Sequence, residues 1–154
     1  MTDDFRASDR ALIADLTVAY AYAVDERDWP AFEALFTPDA AIDYTSSGGI
    51  TGTPAEVSAW MPDALSLFTW TMHSISTHRI VFEGPDRARG SLHCCARHGV
   101  TWDGAVERLE VDVIYEDLYV RTDAGWRFAE REERTLDVSG GSFAAMLKSS
   151  LRRG

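Results

Sequence analysis

Two histidines and a tyrosine in predicted strands are side chains that suit acid–base chemistry. His73 lies in TMHSIST (71–77), between hydroxyl and apolar side chains, in a pattern typical of a β-strand. His98 lies on the apolar face of a second predicted strand, and Tyr44 lies in the short segment AIDYT. Histidine has an ordinary pKa near neutral pH, so it can take up or release a proton there. These residues are therefore candidates for general acid–base catalysis.

Asp25 is a further candidate because it lies at the C-terminal end of a predicted helix. A carboxylate there faces the negative end of the helix dipole, at a cost of up to about 1 kcal/mol. A residue whose placement goes against local structural preferences in this way often has a functional role. A carboxylate beside a histidine fixes its tautomer and stabilises its cation, so Asp25 and His73 together would form a general base. The alternative is that Asp25 is solvated and that the other candidates have structural roles in the core.

Composition narrows the class of protein. The chain has 154 residues, of which 45% are apolar and 11% aromatic, as expected for one globular domain over residues 1–154. Its net charge of -10 argues against binding to nucleic acid or to an anionic membrane surface. No apolar run reaches the roughly 18 residues of a membrane span, and the acidic start MTDDFRASDR does not resemble a secretory signal.

The cysteines and the motifs present indicate neither a disulfide nor a cofactor. Cys94 and Cys95 are adjacent in a predicted strand, where neighbouring side chains point to opposite faces. Reduced thiols fit this arrangement, so we expect a cytoplasmic protein. The sequence shows no paired histidines at helical spacing, no Cys-x-x-Cys and no glycine-rich phosphate loop, so neither a metal nor another cofactor is predicted.

The order of elements predicts an α+β fold. A helix over 9–27 with Ser8 as N-cap is followed by a short helix (30–36) that stops at TPDA, by the strand AIDYT, and by a helix from Thr53 to about Phe68. Four long strands then follow, near 70–83, 87–100, 105–121 and 125–136. We expect the helices to pack on one face of a curved antiparallel sheet, which makes a cone with an apolar interior.

Alternation and helical spacing predict which side chains face that interior. In the strand 87–100 the inward set begins at Ala88 and includes His98, whereas His93 faces outward, and His78 is also expected at the surface. The first helix carries an apolar stripe of Leu12, Leu16, Ala19 and Ala23, widened by Ile13, Tyr20 and Val24. In the strand of His73, the inward set is expected to be His73, Ile75, Thr77, Arg79, Val81 and Glu83 unless a bulge reassigns it.

Several of these segments together resemble a known family. VDERDW (24–29), LFTPDAAIDY (35–44), TMHSIST, His98 and GWRF (125–128) are similar to the SnoaL-like family of the nuclear transport factor 2-like superfamily, and within it to the scytalone dehydratases. The resemblance spans residues 8–136. It implies the cystatin-like α+β barrel of that superfamily, catalysis without a cofactor, and catalytic roles for Asp25, Tyr44, His73 and His98. It also favours a homotrimer, with a dimer as the alternative.

The chain departs from the scytalone dehydratases at positions that would contact substrate. It has Val24 where they have a tyrosine, and Val113 and Tyr115 near the positions of their serine and asparagine. The hexachlorocyclohexane dehydrochlorinase also pairs an aspartate with a histidine, but its lysine has no counterpart near Tyr20. We therefore expect a relative of these enzymes with a different substrate.

The resulting hypothesis is a dehydratase-like lyase that acts on a small aromatic, polyketide, terpenoid or steroid-like substrate. His73 would remove a proton, Asp25 would orient it, Tyr44 would polarise a carbonyl or assist the leaving group, and His98 would act as an acid or hold a water. The predicted substrate-binding residues are Tyr20, Val24, Trp60, Leu65, Phe68, Val113 and Tyr115.

Other functions of the same pocket stay open. An isomerase or polyketide cyclase would use the same base, whereas an epoxide hydrolase would need Asp43 or Asp112 to face inward. A non-catalytic binding module would leave Asp25 unpaired. Outward apolar residues on the third long strand favour a homo-oligomer: Val106, Ile114, Leu118 and Val120. The tail 137–154 is expected to form a short helix whose Phe143, Met146 and Leu147 cover the pocket or an interface.

Overall fold

The computed structural model describes the backbone of residues 2–153 and the side chains of residues 6–153. The helices are α1 (Thr2–Asp25), α2 (Trp29–Ala34), α3 (Pro54–Ala64) and α4 (Ser142–Leu151), with one short 3-10 helix (Thr45–Ser47). The strands are β1 (Phe36–Asp43), β2 (Thr51–Gly52), β3 (Phe68–Phe82), β4 (Arg87–Trp102), β5 (Ala105–Thr122) and β6 (Gly125–Gly140). None of the helices in this part of the chain combines the length and apolar character that crossing a membrane requires.

All six strands form one sheet in the order β2-β1-β6-β5-β4-β3. The β3–β6 strands form an antiparallel meander, and β1 joins it in parallel beside β6. The sheet is curved and unclosed, and α1 packs on it mainly across β3. The predicted α+β class and cone are therefore confirmed.

The third helix shows how closely local sequence can set a helix start. Thr53 accepts a hydrogen bond from the Glu56 backbone N–H, while the Glu56 carboxylate accepts one from the Thr53 backbone N–H, and Pro54 occupies the first turn. This is the predicted capping box. The helix ends at Ala64, four residues before the predicted end at Phe68, because Phe68 already belongs to β3.

The first helix differs from the prediction at its start and in its buried face. It begins at Thr2, so Ser8 lies within the helix and is not its cap. Ile13, Leu16, Tyr20 and Val24 are buried, but Leu12 is 49% exposed, and Ala19 is exposed as well. The stripe is thus rotated relative to the predicted one. The rotation keeps Tyr20 and Val24 on the face that meets the sheet.

The first predicted strand, AIDYT, begins earlier than expected. TPDA, which was expected to end a helix, is part of β1, and Tyr44 lies just after the end of that strand. Tyr44 and Gly48 bound the short 3-10 helix, and Gly48 has a φ of 89°, which favours glycine. The turn follows directly on Tyr44, whose side chain is buried.

Bulges decide which side chains of the long strands face inward. The apolar set of β4 is buried as predicted, from Ala88 to Val100. In β3 the register shifts between Ser76 and Arg79, and Thr77 has a φ of 46°. His78 therefore turns inward and contacts the Tyr119 hydroxyl at 3.1 Å, so the prediction that His78 lies at the surface is wrong.

A second bulge lies in β6 at Ala129, which is an extra residue of β6 without a partner residue on β5. Beyond it, Arg131 and Glu133 face the interior, which strict alternation from Phe128 would not predict. Leu118, expected on the outer face of β5 beside this bulge, is only 4% exposed. The predicted outer apolar patch therefore lacks one of its four members.

Candidate functional site

A cavity of about 320 Å³ lies inside the cone, between the inner face of the sheet and the helices α1, α3 and α4. All seven predicted substrate-binding residues line it: Tyr20, Val24, Trp60, Leu65, Phe68, Val113 and Tyr115. His73, His98 and Tyr44 are also in its wall. None of the described residues that line it is a lysine or an arginine. The cavity is therefore a largely apolar site with a few polar groups.

Asp25 and His73 form a hydrogen-bonded pair at the wall of this cavity. Asp25 is the last residue of α1, and His73 lies in the part of β3 before the bulge. His73 Nδ1 is 2.6 Å from Asp25 Oδ1, and the His73 backbone N–H donates to Asp25 Oδ2 at 2.9 Å. Since a carboxylate accepts hydrogen bonds, this geometry assigns the proton to Nδ1 and leaves Nε2 with its lone pair.

The surroundings of Asp25 keep it ionised. Partial burial by itself raises the pKa of the carboxyl group, but the hydrogen bonds from the His73 ring and backbone outweigh it and lower the pKa below its usual range. An ionised Asp25 stabilises a positive charge on His73. The unpaired Asp25 that a non-catalytic binding module would have is not observed.

Two tyrosine hydroxyls face each other beside the pair. The Tyr20 and Tyr44 hydroxyl oxygens are 2.7 Å apart, and both side chains are buried. Burial raises the pKa of both phenols, so each is a neutral hydrogen-bond donor at neutral pH. The Tyr20 ring also packs edge-on against the His73 ring, with 6.4 Å between their centroids. Tyr20 thus links the tyrosine pair to the histidine.

His98 lies beside His73, with 6.2 Å between the ring centroids, and packs on Phe68 at 4.5 Å. Its Nδ1 is buried and has no hydrogen-bond partner among the described residues. Burial, together with the neighbouring His73, lowers the pKa of His98 to about 4. His98 is therefore neutral at neutral pH, which favours a hydrogen-bonding role over the role of a cationic acid.

Glu133 is a cavity residue that sequence reasoning missed. It is the one acidic side chain among the described residues of the wall. It belongs to the run REERTL, which reads as a solvated stretch, and the Ala129 bulge alone turns it inward. The carboxylates that an epoxide hydrolase would need are elsewhere: Asp43 accepts hydrogen bonds from Thr45, and Asp112 is exposed. Neither of them lines the cavity.

The C-terminal helix closes one side of the cavity. The predicted helix in the tail is α4, and its Phe143 and Leu147 line the cavity. Met146 does not line the cavity and is 46% exposed, so the interface remains the alternative for this residue. Among the side chains described, those of residues 6–153, no three histidine, cysteine or acidic groups lie together in a way that would hold a metal ion.

Comparisons with known proteins show the family of the chain. A family model for the SnoaL-like domain matches residues 6–132. The chain is 33% identical over 127 residues to the uncharacterized protein Rv2910c of Mycobacterium tuberculosis (strain ATCC 25618 / H37Rv), covering 82% of this chain and 84% of the relative.

Solved structures share the fold at lower identity. A candidate scytalone dehydratase from Novosphingobium aromaticivorans DSM 12444 is 24% identical, with a TM-score of 0.77 over 90% of this chain and 91% of that one. The hexachlorocyclohexane dehydrochlorinase LinA-type3 from Novosphingobium barchaimii LL02 is 19% identical, with a TM-score of 0.77 over 91% and 94%. The two structures establish a common fold, and the match over residues 6–132 establishes the family: the chain belongs to the SnoaL-like domain family.

Proposed function

We propose that the protein is a cofactor-independent lyase of the dehydratase type, in which His73 removes a proton from a small hydrophobic carbonyl compound. The observation that carries the proposal is the Asp25–His73 pair at the wall of an apolar cavity. Because Nδ1–H is engaged by Asp25, Nε2 is the ring nitrogen available to a substrate. Geometry of this kind is the first requirement for a general base.

The reaction we propose is an elimination next to a carbonyl group. His73 Nε2 takes the proton from the carbon beside the carbonyl, and Asp25 stabilises the imidazolium that results. In the Tyr20–Tyr44 pair one hydroxyl donates to the other, and the remaining O–H would hydrogen-bond the carbonyl oxygen as negative charge develops on it. The C–H electrons then form a C=C bond, and the leaving group departs with the electrons of its own bond.

The volume and the lining of the cavity limit the size and the charge of the substrate. Its volume of about 320 Å³ lies at the lower end of the range for small-molecule sites, and its wall is mainly aliphatic and aromatic. The absence of lysine and arginine from the described wall favours a neutral substrate over an anionic one. The names of the two similar structures support elimination as the reaction class, since one is a dehydratase and the other a dehydrochlorinase.

A probe elimination tests this function. β-Hydroxypropiophenone is a small aromatic ketone whose dehydration gives phenyl vinyl ketone, which can be followed by absorbance. We expect the wild type to catalyse this reaction and His73→Ala to lose roughly 10²–10⁴-fold in kcat while its circular dichroism is unchanged. The matched control is His93→Ala, since His93 is exposed on the face of β4 that points away from the cavity.

Two outcomes would count against the proposal. Near-normal kcat in His73→Ala would exclude His73 as the base. Exchange of the substrate α-protons with solvent deuterium, without loss of the hydroxyl group in the wild type, would indicate the isomerase alternative.

A further inference from the structure

Glu133 lies in the cavity in a setting that does not suit a carboxylate ion. It is on β6, beside its strand partner Tyr115, and both line the cavity. Its Oε1 is buried and has no hydrogen-bond partner among the described residues. A buried ionised oxygen without a donor is costly, whereas a neutral acid group is tolerated. The mechanism above gives this group no role.

Burial outweighs the groups around Glu133 that favour its ionised form. Burial raises the pKa of Glu133, whereas the neighbouring Ser47 and Tyr115 hydroxyls and the positive charge of Arg131 lower it, as a positive charge on His73 would. The remaining titratable groups that interact with it are the buried side chains of Tyr20, Tyr44 and Cys94. A carboxylic acid that stays protonated in such a site can donate a hydrogen bond or a proton.

We infer that Glu133 is the general acid that protonates the departing group, and that this group is a hydroxyl. The inference rests on the lyase function proposed above and specifies its substrate class as a neutral β-hydroxy carbonyl compound. The supporting geometry is the position of Glu133 in the same cavity wall as His73, with an oxygen that no described residue satisfies.

The proton balance of the reaction closes without a further reagent. His73 takes one proton from carbon, the C–O bond breaks, and the Glu133 proton joins the departing oxygen to form water. The products are the unsaturated carbonyl compound, water, an imidazolium at His73 and a carboxylate at Glu133. Transfer of one proton from His73 to Glu133 through solvent restores the starting state.

The two groups are coupled in a direction that helps the reaction. The positive charge that His73 acquires when it takes the substrate proton lowers the pKa of Glu133. Glu133 therefore becomes a stronger acid at the moment when the leaving oxygen needs a proton. The new carboxylate is in turn stabilised by that charge.

The two leaving groups, hydroxide and chloride, differ in whether they need a general acid. Hydroxide is a poor leaving group and departs readily only when it is protonated, whereas chloride departs as a stable anion. A cavity whose wall holds both a protonated carboxyl group and the base is thus suited to dehydration. For loss of chloride the proton of the same group is not needed.

The first test measures the protonation of Glu133 in the free protein by infrared spectroscopy. We expect the C=O band of a protonated carboxylic acid at neutral pH, absent from Glu133→Gln. The band should persist in Glu132→Gln, the matched control, because Glu132 is exposed on the other face of β6. Absence of such a band from the wild type would overturn the inference, whatever the enzyme's activity.

The second test compares two leaving groups on one skeleton, β-hydroxypropiophenone and β-chloropropiophenone. Glu133→Gln should reduce kcat for the hydroxyl compound by about 10²–10⁴-fold and leave chloride elimination at the level of the Glu132→Gln control. Equal losses with both compounds would show that Glu133 acts otherwise than as an acid. If the wild type eliminates neither group, the proposed lyase function fails, while the infrared band still reports the state of Glu133 independently.

Discussion

The Asp25 carboxylate accepts two hydrogen bonds from one residue, from the ring and from the backbone N–H of His73. Each oxygen is used once, so the carboxylate plane and the imidazole plane are fixed relative to each other. At the C-terminal end of α1 the helix dipole disfavours the Asp25 carboxylate. The carboxylate has two hydrogen-bond donors as partners there. The pair is a rigid unit built from the end of one helix and one strand residue.

This geometry predicts the behaviour of Asp25→Asn. The two N–H groups of His73 are bonded to different oxygens of Asp25, and an amide has an acceptor at only one of these two positions. Either one contact is lost or the amide N–H₂ faces Nδ1 and moves the ring proton to Nε2. We expect kcat to fall about 10²–10⁴-fold, with the tautomer change visible in imidazole ¹⁵N shifts.

The control for this variant is Glu26→Gln, an exposed neighbour that should retain full activity. Unchanged ¹⁵N shifts together with unchanged kcat in Asp25→Asn would show that Asp25 does not position His73.

His98 makes the stability depend on pH in the acidic range. The unfolded chain binds a proton at His98 near pH 6.5, but the folded protein does so only near pH 4. Between these values the unfolded state holds more protons, so stability is fully present above pH 6.5 and is lost as pH falls through the window. At about 1.4 kcal/mol for each pKa unit, the loss is on the order of 3 kcal/mol.

The corresponding experiment is urea unfolding of the wild type and His98→Gln across this pH range. We expect a flatter dependence of the unfolding free energy on pH in the variant, and an unchanged dependence in His93→Gln, whose side chain is exposed. Parallel curves for the wild type and His98→Gln would contradict the prediction.

At the scale of elements, the four long strands were predictable and their bulges were not. Alternation correctly placed His73 and the inward set of β4, because side chains on an unbroken strand alternate with a period of two. The bulges at Thr77 and Ala129 each shift that period by one residue. They turn His78, Arg131 and Glu133 inward, and nothing in one sequence marks these two positions as bulges.

The C-terminal helix depends on a cap from another element. Glu107 at the start of β5 accepts hydrogen bonds from the Ser142 N–H at 3.1 Å, the Ser142 hydroxyl at 2.6 Å and the Phe143 N–H at 2.9 Å. These are donors at the N-terminus of α4 that would otherwise lack partners. The cap holds Phe143 and Leu147 against the cavity.

Removing the cap should loosen the wall of the cavity. We expect Glu107→Ala to destabilise α4 and to raise KM more than it lowers kcat. Hydrogen exchange of residues 143–151 should increase, whereas Val106→Ala, at an 86% exposed neighbour, should match the wild type. Unchanged exchange in Glu107→Ala would show that α4 is held by its apolar contacts alone.

At the scale of the whole molecule, a buried ion pair lies at the centre of the cone. Arg131 Nε and Nη2 donate to the two oxygens of Asp117 at 2.8 and 2.7 Å, and both side chains are fully buried. The guanidinium also lies over the Tyr20 ring at 4.0 Å and the Tyr115 ring at 4.2 Å. The pair therefore joins the sheet to α1 directly beneath the tyrosines of the site.

Breaking this pair should be more harmful than replacing it. Asp117→Asn and Arg131→Met should each cost about 3–5 kcal/mol of unfolding free energy, since each alters one side of a desolvated pair. The double variant should cost less than the sum, as measured in a double-mutant cycle by urea unfolding. Additive losses would mean that the two side chains contribute independently.

The oligomeric state stays a prediction. The resemblance to the scytalone dehydratases favours a trimer, and Val106 on β5 and Trp70 on β3 are exposed apolar residues. Leu118 does not contribute to an outer patch, because it is buried beside the β6 bulge.

The sequence by itself determined the α+β class, the order of the elements, and the residue types and spacing that identified Asp25, Tyr44, His73 and His98. These features depend on local periodicity, capping and turn chemistry, which are read over short windows. Only the tertiary structure decided that α1 brings Asp25 to His73 and that His98 is desolvated to neutrality. It also decided that Glu133 faces the cavity, because strand register and burial depend on contacts between residues that are distant in the chain.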